Sequence, residues 1–161
     1  MADRNTPWFI SKIAPHLLKP MSQSHIRLYR LTGGRVGGKL GGKPICLLTT
    51  TGRKSGKERT QALLYVADGD DVLLVAAQGG LPQNPMWLLN LRADPRVRIQ
   101  IGGRVRAMRA REATEDERTA LWPRLTAHYP GWAQYQSWTD RVIPVVVCSP
   151  SSGDEGGGRD E

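Results

Sequence analysis

The 161-residue chain holds one phenylalanine, two cysteines and three histidines, and no apolar run approaches the length of a membrane span. Such a span needs about 20 consecutive apolar residues. Each scarcity excludes something. Cys46 and Cys148 stand outside any C-x-x-C, so no disulfide framework is expected. His16, His25 and His128 form no H-E-x-x-H and no His/Cys cluster, which argues against a metal site. No G-x-G-x-x-G occurs, so the usual dinucleotide fingerprint is missing. Gly37-x4-Gly42-Lys43 has Walker A spacing, but Pro44 stands where a magnesium-binding hydroxyl is needed, and a strand rather than a helix is predicted to follow. No Ser-His-Asp order, no G-x-S-x-G and no carboxylate pair in an apolar run provides for hydrolysis. With no signal peptide expected, the sequence reads as one reduced, soluble, cytoplasmic domain.

Acidic residues are scarce where basic ones are dense. The formal charge is +8, and residues 151–161 hold four acids against one base, so the other 150 residues carry +11. That Gly/Ser-rich acidic end has too little apolar surface to order itself and reads as a disordered tail. Residues 27–59 contain nine Lys or Arg against Glu58 alone, and residues 92–111 contain seven Arg against Asp94. A protein this basic is built for an anionic partner: nucleic acid, a lipid surface or a multiply charged cofactor.

Hydrophobic periodicity divides the chain into residues 1–20, an amphipathic helix capped by Thr6-Pro7, then residues 21–150, and the tail 151–161. Trp8, Phe9, Lys12 and Leu17 give the first segment a face for a membrane surface, or for capping the domain behind it. A short helix over 26–31 leads into a glycine-rich loop. Strands are predicted at 45–50, 60–67, 72–77, 96–101, 104–111 and 142–148, with Pro144 marking the last as an edge or bulge. Short helices are predicted at 86–91 and from Thr114, whose partner Glu117 completes a capping box, to about Ala127. Six short strands, mostly in hairpins, predict a mainly β fold with peripheral helices, a small antiparallel barrel.

Three segments carry candidate chemistry. In Thr49-Thr50-Thr51-Gly52-Arg53-Lys54-Ser55-Gly56 a strand ends in a glycine-bracketed loop with two cations and a hydroxyl at its tip and Arg59 close behind. Such a loop suits a phosphate, or is simply a solvated basic hairpin tip. On a short helix, Met86, Trp87 and Asn90 fall at spacings that put an aromatic, a thioether and an amide together, which suits a flat heterocycle or plain core packing. Residues 129–138 hold Tyr129, Trp132, Tyr135 and Trp138, the makings of a pocket lid or a packing cap. The arginines of 96–106 alternate with Val97, Ile99 and Ile101 and have no aromatic among them, so they read as an outer barrel face rather than a nucleic-acid surface.

Taken together, LLTTTGRKSG at 47–56, NPMWLLNL at 84–91 and YPGWAQYQSWTDRVIPVVVC at 129–148 resemble the deazaflavin-dependent nitroreductase family over about residues 20–150. The resemblance implies a six-stranded split β-barrel of the FMN-binding type, with an N-terminal helix. It implies hydride transfer from reduced coenzyme F420, a 5-deazaflavin with a phosphate and a polyglutamate tail, to a quinone or nitroaromatic acceptor. Such a polyanion accounts for the basic excess without nucleic acid. By matching position, Arg53, Lys54, Ser55 and Arg59 would hold the phosphate. Thr60, Gln61, Ala62, Leu63 and Leu64, with Val75, Ala76, Ala77 and Gln78, and Met86, Trp87, Leu88, Leu89 and Asn90, would line the deazaflavin. Tyr129, Trp132 and Tyr135 would form the acceptor pocket, the tyrosines as hydrogen-bond donors. The family's nitroimidazole-reducing member has Ser-Lys in place of Ala77-Gln78 and tyrosine in place of Trp132, so a quinone acceptor is expected. Alternatives are an FMN or haem protein on the same barrel, and a basic cofactor- or lipid-binding protein without turnover.

Overall fold

The computed structural model describes residues 23–151. The predicted helix at 1–20 and nearly all of the acidic tail lie outside them. Helix α1 (23–32) is followed by strands β1 (Lys39–Leu40), β2 (Lys43–Thr51), β3 (Glu58–Leu64), β4 (Val66–Asp68) and β5 (Asp71–Val75). Then come a single 3-10 turn (Gln78–Gly80), α2 (Met86–Ala93), β6 (Arg96–Ile101) and β7 (Arg104–Glu112). Helices α3 (Glu115–His128) and α4 (Gly131–Ser137) and strand β8 (Val145–Pro150) complete the fold.

The strands form one antiparallel sheet in the order β1-β2-β6-β7-β8-β5-β4, with β3 paired to β2. Eight strands replace the six predicted, for two reasons. Lys39–Leu40, read as glycine-rich loop, folds back on Lys43 and Pro44. The strand predicted at 60–67 breaks at Tyr65: β3 pairs with β2, whereas β4 pairs with β5. The stretch 58–68 therefore crosses from one margin of the sheet to the other, and this crossing makes the barrel split. Pro144 was expected to place the last strand at an edge or bulge. Instead β8 lies between β7 and β5, and Pro144 precedes it, accepting the Ala76 N–H at 2.9 Å.

Burial explains the sequence patterns. In β2 all of Ile45 to Thr50 are buried, because the strand is covered on both sides. Cys46 and Leu48 face the barrel interior with Val97, Ile99, Met108 and Val146. Ile45 and Leu47 pack outward against Ile26 and Tyr29 of α1. Tyr29 Oη locks that contact, donating to the Ile45 carbonyl and accepting the Gly102 N–H, both at 3.0 Å. Strands β5 and β8 are likewise sandwiched, their outer faces packed under Leu125 of α3 and Trp132 of α4. A continuous apolar run marks a strand covered on both faces, and alternation marks one face in water. Strand β6 alternates as predicted, with Val97 and Ile99 buried and Arg96 and Arg98 exposed. Each such aliphatic side chain contributes about 1.5–3 kcal/mol by burial. The capping box is present: Thr114 Oγ1 accepts the Glu117 N–H at 3.2 Å, and Glu117 Oε1 accepts the Thr114 N–H at 3.0 Å.

Candidate functional site

Following the antiparallel ladders β2-β6-β7-β8-β5, the strands β2 and β5 run in the same direction. Their C-terminal ends, leading into the basic loop 52–57 and the turn 78–80, therefore open at the same end of the barrel. Between them β3 lies alongside β5 without a ladder joining the two. The candidate site is built around this seam.

At one side stands the loop. Gly52 N–H donates to the Lys57 carbonyl at 2.7 Å and Gly56 N–H to the Gly52 carbonyl at 2.8 Å. The loop packs tightly at Gly52, where a Cβ would lie 2.7 Å from Ser55 Oγ and 3.1 Å from the Lys57 carbonyl oxygen. Gly56 turns the chain at φ +69°. The loop is tied to α2 by Asn90, which is 5 % exposed. Its Oδ1 accepts the Arg53 N–H at 3.1 Å and its Nδ2 donates to Thr50 Oγ1 at 3.2 Å. Asn90 thus holds the loop from behind. The N–H groups of Lys54 and Ser55 meet no acceptor among the described residues.

The charges around this loop are uncompensated. Among the described residues, Arg92, Arg96, Arg98, Arg111 and Arg124 pair with Glu112, Asp94, Glu58, Glu117 and Asp68. Arg53, Lys54, Lys57 and Arg59 are exposed and pair with no carboxylate there. Glu58, the one acid in the segment, is drawn to Arg98 at 2.6 Å, and that guanidinium holds its carboxyl below the usual range. Four of the seven arginines of 92–111 are thus neutralised, while the loop keeps its full positive charge. Free cations, free N–H groups and a glycine cradle fit a phosphate with an acidic tail.

Strand β3 divides its residues between two faces. Ala62 and Leu64 pack toward α1, while Leu63 packs against the barrel interior. Thr60 Oγ1 lies 2.8 Å from Thr49 Oγ1 and accepts from Arg30 Nη2 at 3.0 Å. Arg59 and Gln61 are exposed. Val75 and Ala77 belong to the outer cluster with Leu64, Trp132, Tyr129 and Tyr135, whereas Ala76 joins the barrel interior. Helix α2 is turned inward: Trp87 and Leu88 are buried in the barrel, Leu89 is half-buried, and Met86 is 54 % exposed. Met86 and Trp87 therefore do not share a face.

The aromatic segment covers the other side of the seam. Tyr129 and Tyr135 bring their phenol oxygens to 3.3 Å. The hydrogen bond to Tyr129, with burial, pushes the Tyr135 hydroxyl up to about 12. Trp132 is 4 % exposed and meets Tyr129 edge-on at 5.3 Å. Gly80 sits against α4 at φ +77°, where a Cβ would lie 2.8 Å from the Tyr135 carbonyl oxygen. The turn 78–80 and the tyrosine helix thus pack as one unit. Composition did not single out the residues that anchor them: Arg141, Arg118 and Gln136. Gln136 Oε1 accepts from Arg118 Nη2 at 3.0 Å and from the Ile143 N–H at 2.9 Å. Lys57, which adds a fourth cation to the loop, was also missed, although its place beside Gly56 could have flagged it.

A split barrel with an unpaired basic loop beside a seam capped by aromatic side chains is the build of a cofactor-binding split barrel. A solved F420-H2 dependent reductase shares the fold at TM-score 0.62 and 42 % identity, covering 66 % of this chain and 94 % of that one. The profile described as F420H(2)-dependent quinone reductase matches residues 21–150, and the chain belongs to that family. Similar proteins include a putative F420H(2)-dependent quinone reductase of Mycobacterium tuberculosis strain H37Rv, 44 % identical over 107 residues, covering 66 % of this chain and 90 % of that protein. An F420H(2)-dependent quinone reductase of the same strain is 38 % identical over 138 residues, covering 83 % and 93 %. The donor implied by the resemblance is thus the one in the family's name, reduced coenzyme F420.

Proposed function

We propose that this protein reduces a quinone with hydride from reduced coenzyme F420, with Arg53, Lys54, Ser55 and Arg59, joined by Lys57, gripping the cofactor's phosphate and acidic tail. The observation that carries this reading is the contrast in charge pairing: four of the seven arginines of 92–111 find carboxylates, and none of the four loop cations does. The same contrast speaks against nucleic acid. When bound, the reduced deazaflavin supplies the hydride. The seam would take the ring between β3, the Val75–Gln78 segment and the mouth of α2. Only one face of β3 can meet it through side chains, Gln61 and Leu63 with Arg59, the others contributing backbone.

Tyr129 and Tyr135 act as a pair. One phenol donates to the other, which leaves one O–H to meet the acceptor's oxygen as negative charge develops there. The hydrogen bond that raises Tyr135 to about 12 has its hydroxyl donating to Tyr129, which leaves the Tyr129 O–H to meet the acceptor. The product's proton then comes from solvent. Trp132 contributes as the packed floor beneath Tyr129. Without hydroxyl or ammonium groups at Ala77 and Gln78, the seam suits a flat apolar quinone better than a nitroimidazole; simple nitroaromatics are the second acceptor class.

The protein works in the cytoplasm, with a peripheral contact to the inner face of the membrane through residues 1–20. No helix among the described residues is long and apolar enough to cross a membrane. Supporting the contact, α1 and the loop behind it expose Leu28, Leu31, Val36 and Leu40 among Arg27, Arg35 and Lys39.

The test is a fluorescence titration with oxidised F420 beside FMN. Saturable binding of the deazaflavin alone is expected, weakened about tenfold by Lys54→Ala, equivalent to about 1.4 kcal/mol. Binding of FMN alone, or an unaltered affinity in Lys54→Ala, overturns the assignment.

A further inference from the structure

Arg141 sits between α4 and β8 and pairs with no carboxylate among the described residues. Every donor on its guanidinium points instead at the segment from Ala76 to Asn84. Nε donates to the Leu81 carbonyl at 2.9 Å. Nη1 donates to the Ala76 carbonyl at 3.2 Å and to Asn84 Oδ1 at 3.0 Å. Nη2 donates to the Ala76 and Ala77 carbonyls at 3.2 and 2.8 Å. Burial lowers its pKa, so an unpaired cation is held here at a cost that carbonyl contacts offset. Only a planar fork with five N–H groups can meet four acceptors at once; a lysine cannot.

The segment so held is strained. Gln78 is the one non-glycine residue with positive φ among those described, at +45°, followed by Gly79 at +62° and Gly80 at +77°. The strain lies at Gln78, since a non-glycine residue at positive φ persists only where its surroundings fix it, while the two glycines take such values freely. The peptide groups are trans, so each N–H points opposite to its own carbonyl. With the Ala76 and Ala77 carbonyls on Arg141, the N–H groups of Ala77 and Gln78 face away from it. Neither meets an acceptor among the described residues, although Ala77 is only 3 % exposed. A partnerless N–H on a buried residue such as Ala77 is rare and marks a place where a ligand completes the bonding, whereas Gln78 is exposed.

We propose that Arg141 is a positioning residue for the reaction: by gripping the carbonyl side of the 76–81 backbone, it holds the left-handed turn and aims the opposite N–H groups into the seam. There they meet a carbonyl oxygen of the bound heterocycle, and the cation behind them polarises both peptides toward stronger donation. The role rests on the reading that residues 75–78 border the deazaflavin. Arg141 itself touches neither cofactor nor acceptor.

The experiment uses the full chain with Arg141→Lys and, keeping the guanidinium but removing one of its acceptors, Asn84→Ala. Arg124→Ala, which removes hydrogen bonds to Asp68 and Ala67 at a distance, serves as the stability control. In ligand-free protein the amides of Gly80 and Leu81, whose bonds close the turn, should exchange about tenfold faster in Arg141→Lys, with β2 and β6 unaltered. With oxidised F420, affinity should fall about tenfold and the absorption shift on binding should shrink toward the free cofactor's spectrum. Asn84→Ala should move both readouts in the same direction, and it decides the question if Arg141→Lys fails to fold. Arg124→Ala should move neither. Unchanged exchange, or wild-type affinity and spectrum in these variants, overturns the positioning role alone. A wild-type protein that takes up no F420 overturns the cofactor reading, and this role with it.

Discussion

Asn90 Oδ1 accepts the backbone N–H of Arg53 at 3.1 Å, so a buried amide on α2 fixes the loop that carries the free cations. The contact joins the barrel interior to the most exposed chemistry of the molecule. Asn90→Ala leaves that N–H and the Thr50 hydroxyl without their partner, at a cost of about 1–3 kcal/mol. The expected outcome is a lower melting temperature together with weaker F420 binding, although Asn90 lies behind the loop. Full affinity in a folded Asn90→Ala protein would show that the loop needs no such support.

Tyr135→Phe removes one phenol of the pair but keeps the ring against Trp138. Turnover with menadione as acceptor should drop about tenfold, the equivalent of one hydrogen bond of about 1.4 kcal/mol. Cofactor affinity should stay within twofold or so, since the phosphate grip is untouched. A loss of affinity with unchanged turnover would assign Tyr135 to the cofactor instead.

The same hydroxyl makes a prediction at high pH. Its folded value, about 12, lies above the ordinary 10.0, so the folded state holds the proton more tightly than the unfolded one. The stabilisation is complete below about pH 10 and is lost as pH rises toward 12. Alkaline denaturation should therefore be shallower over this interval in Tyr135→Phe, as followed by far-UV circular dichroism.

At low pH two surface carboxyls act in the opposite sense. Arg96 holds Asp94 down to about 2, from 3.8, and Arg111, with the Thr114 N–H, holds Glu117 down to about 2, from 4.5. Their contribution is present above those ordinary values and is lost as pH falls toward 2. Glu117→Gln should flatten the acid limb of the stability profile and loosen the start of α3, whereas an unchanged limb would leave the pair without effect.

Gly80→Ala tests the packing of the turn on the tyrosine helix. A side chain at φ +77° is strained, and its Cβ would meet the Tyr135 carbonyl oxygen at 2.8 Å. A loss of about 2 kcal/mol is expected, about 4–8 °C in melting temperature. Turnover should fall further than stability alone explains, because Tyr135 must shift.

Strand positions were legible because burial leaves a mark in the sequence. The unbroken run in β2 and the alternation in β6 each follow from which faces meet water. The Thr114–Glu117 cap was legible because it is local. The break at Tyr65 was not: nothing near it says that its two halves pair with different strands, a choice made by β2 and β5 across the barrel. The inward turn of Trp87 past an exposed Met86 depends on the barrel mouth in the same way. Seven arginines could be counted between 92 and 111, but the pairing of Arg98, Arg92 and Arg111 with Glu58, Glu112 and Glu117 needed the fold. Arg141 was hidden for a further reason, since its acceptors are backbone carbonyls, which every sequence has.

The crossing of residues 58–68 has a mechanical consequence. Beside the loop, β3 and β5 touch without sharing a ladder, so parting them breaks no interstrand hydrogen bond. Elsewhere in the sheet, separating two strands means giving up several at once. The barrel thus has a built-in line of least resistance beside the basic loop, where two strands are held together by side-chain packing rather than by a backbone ladder.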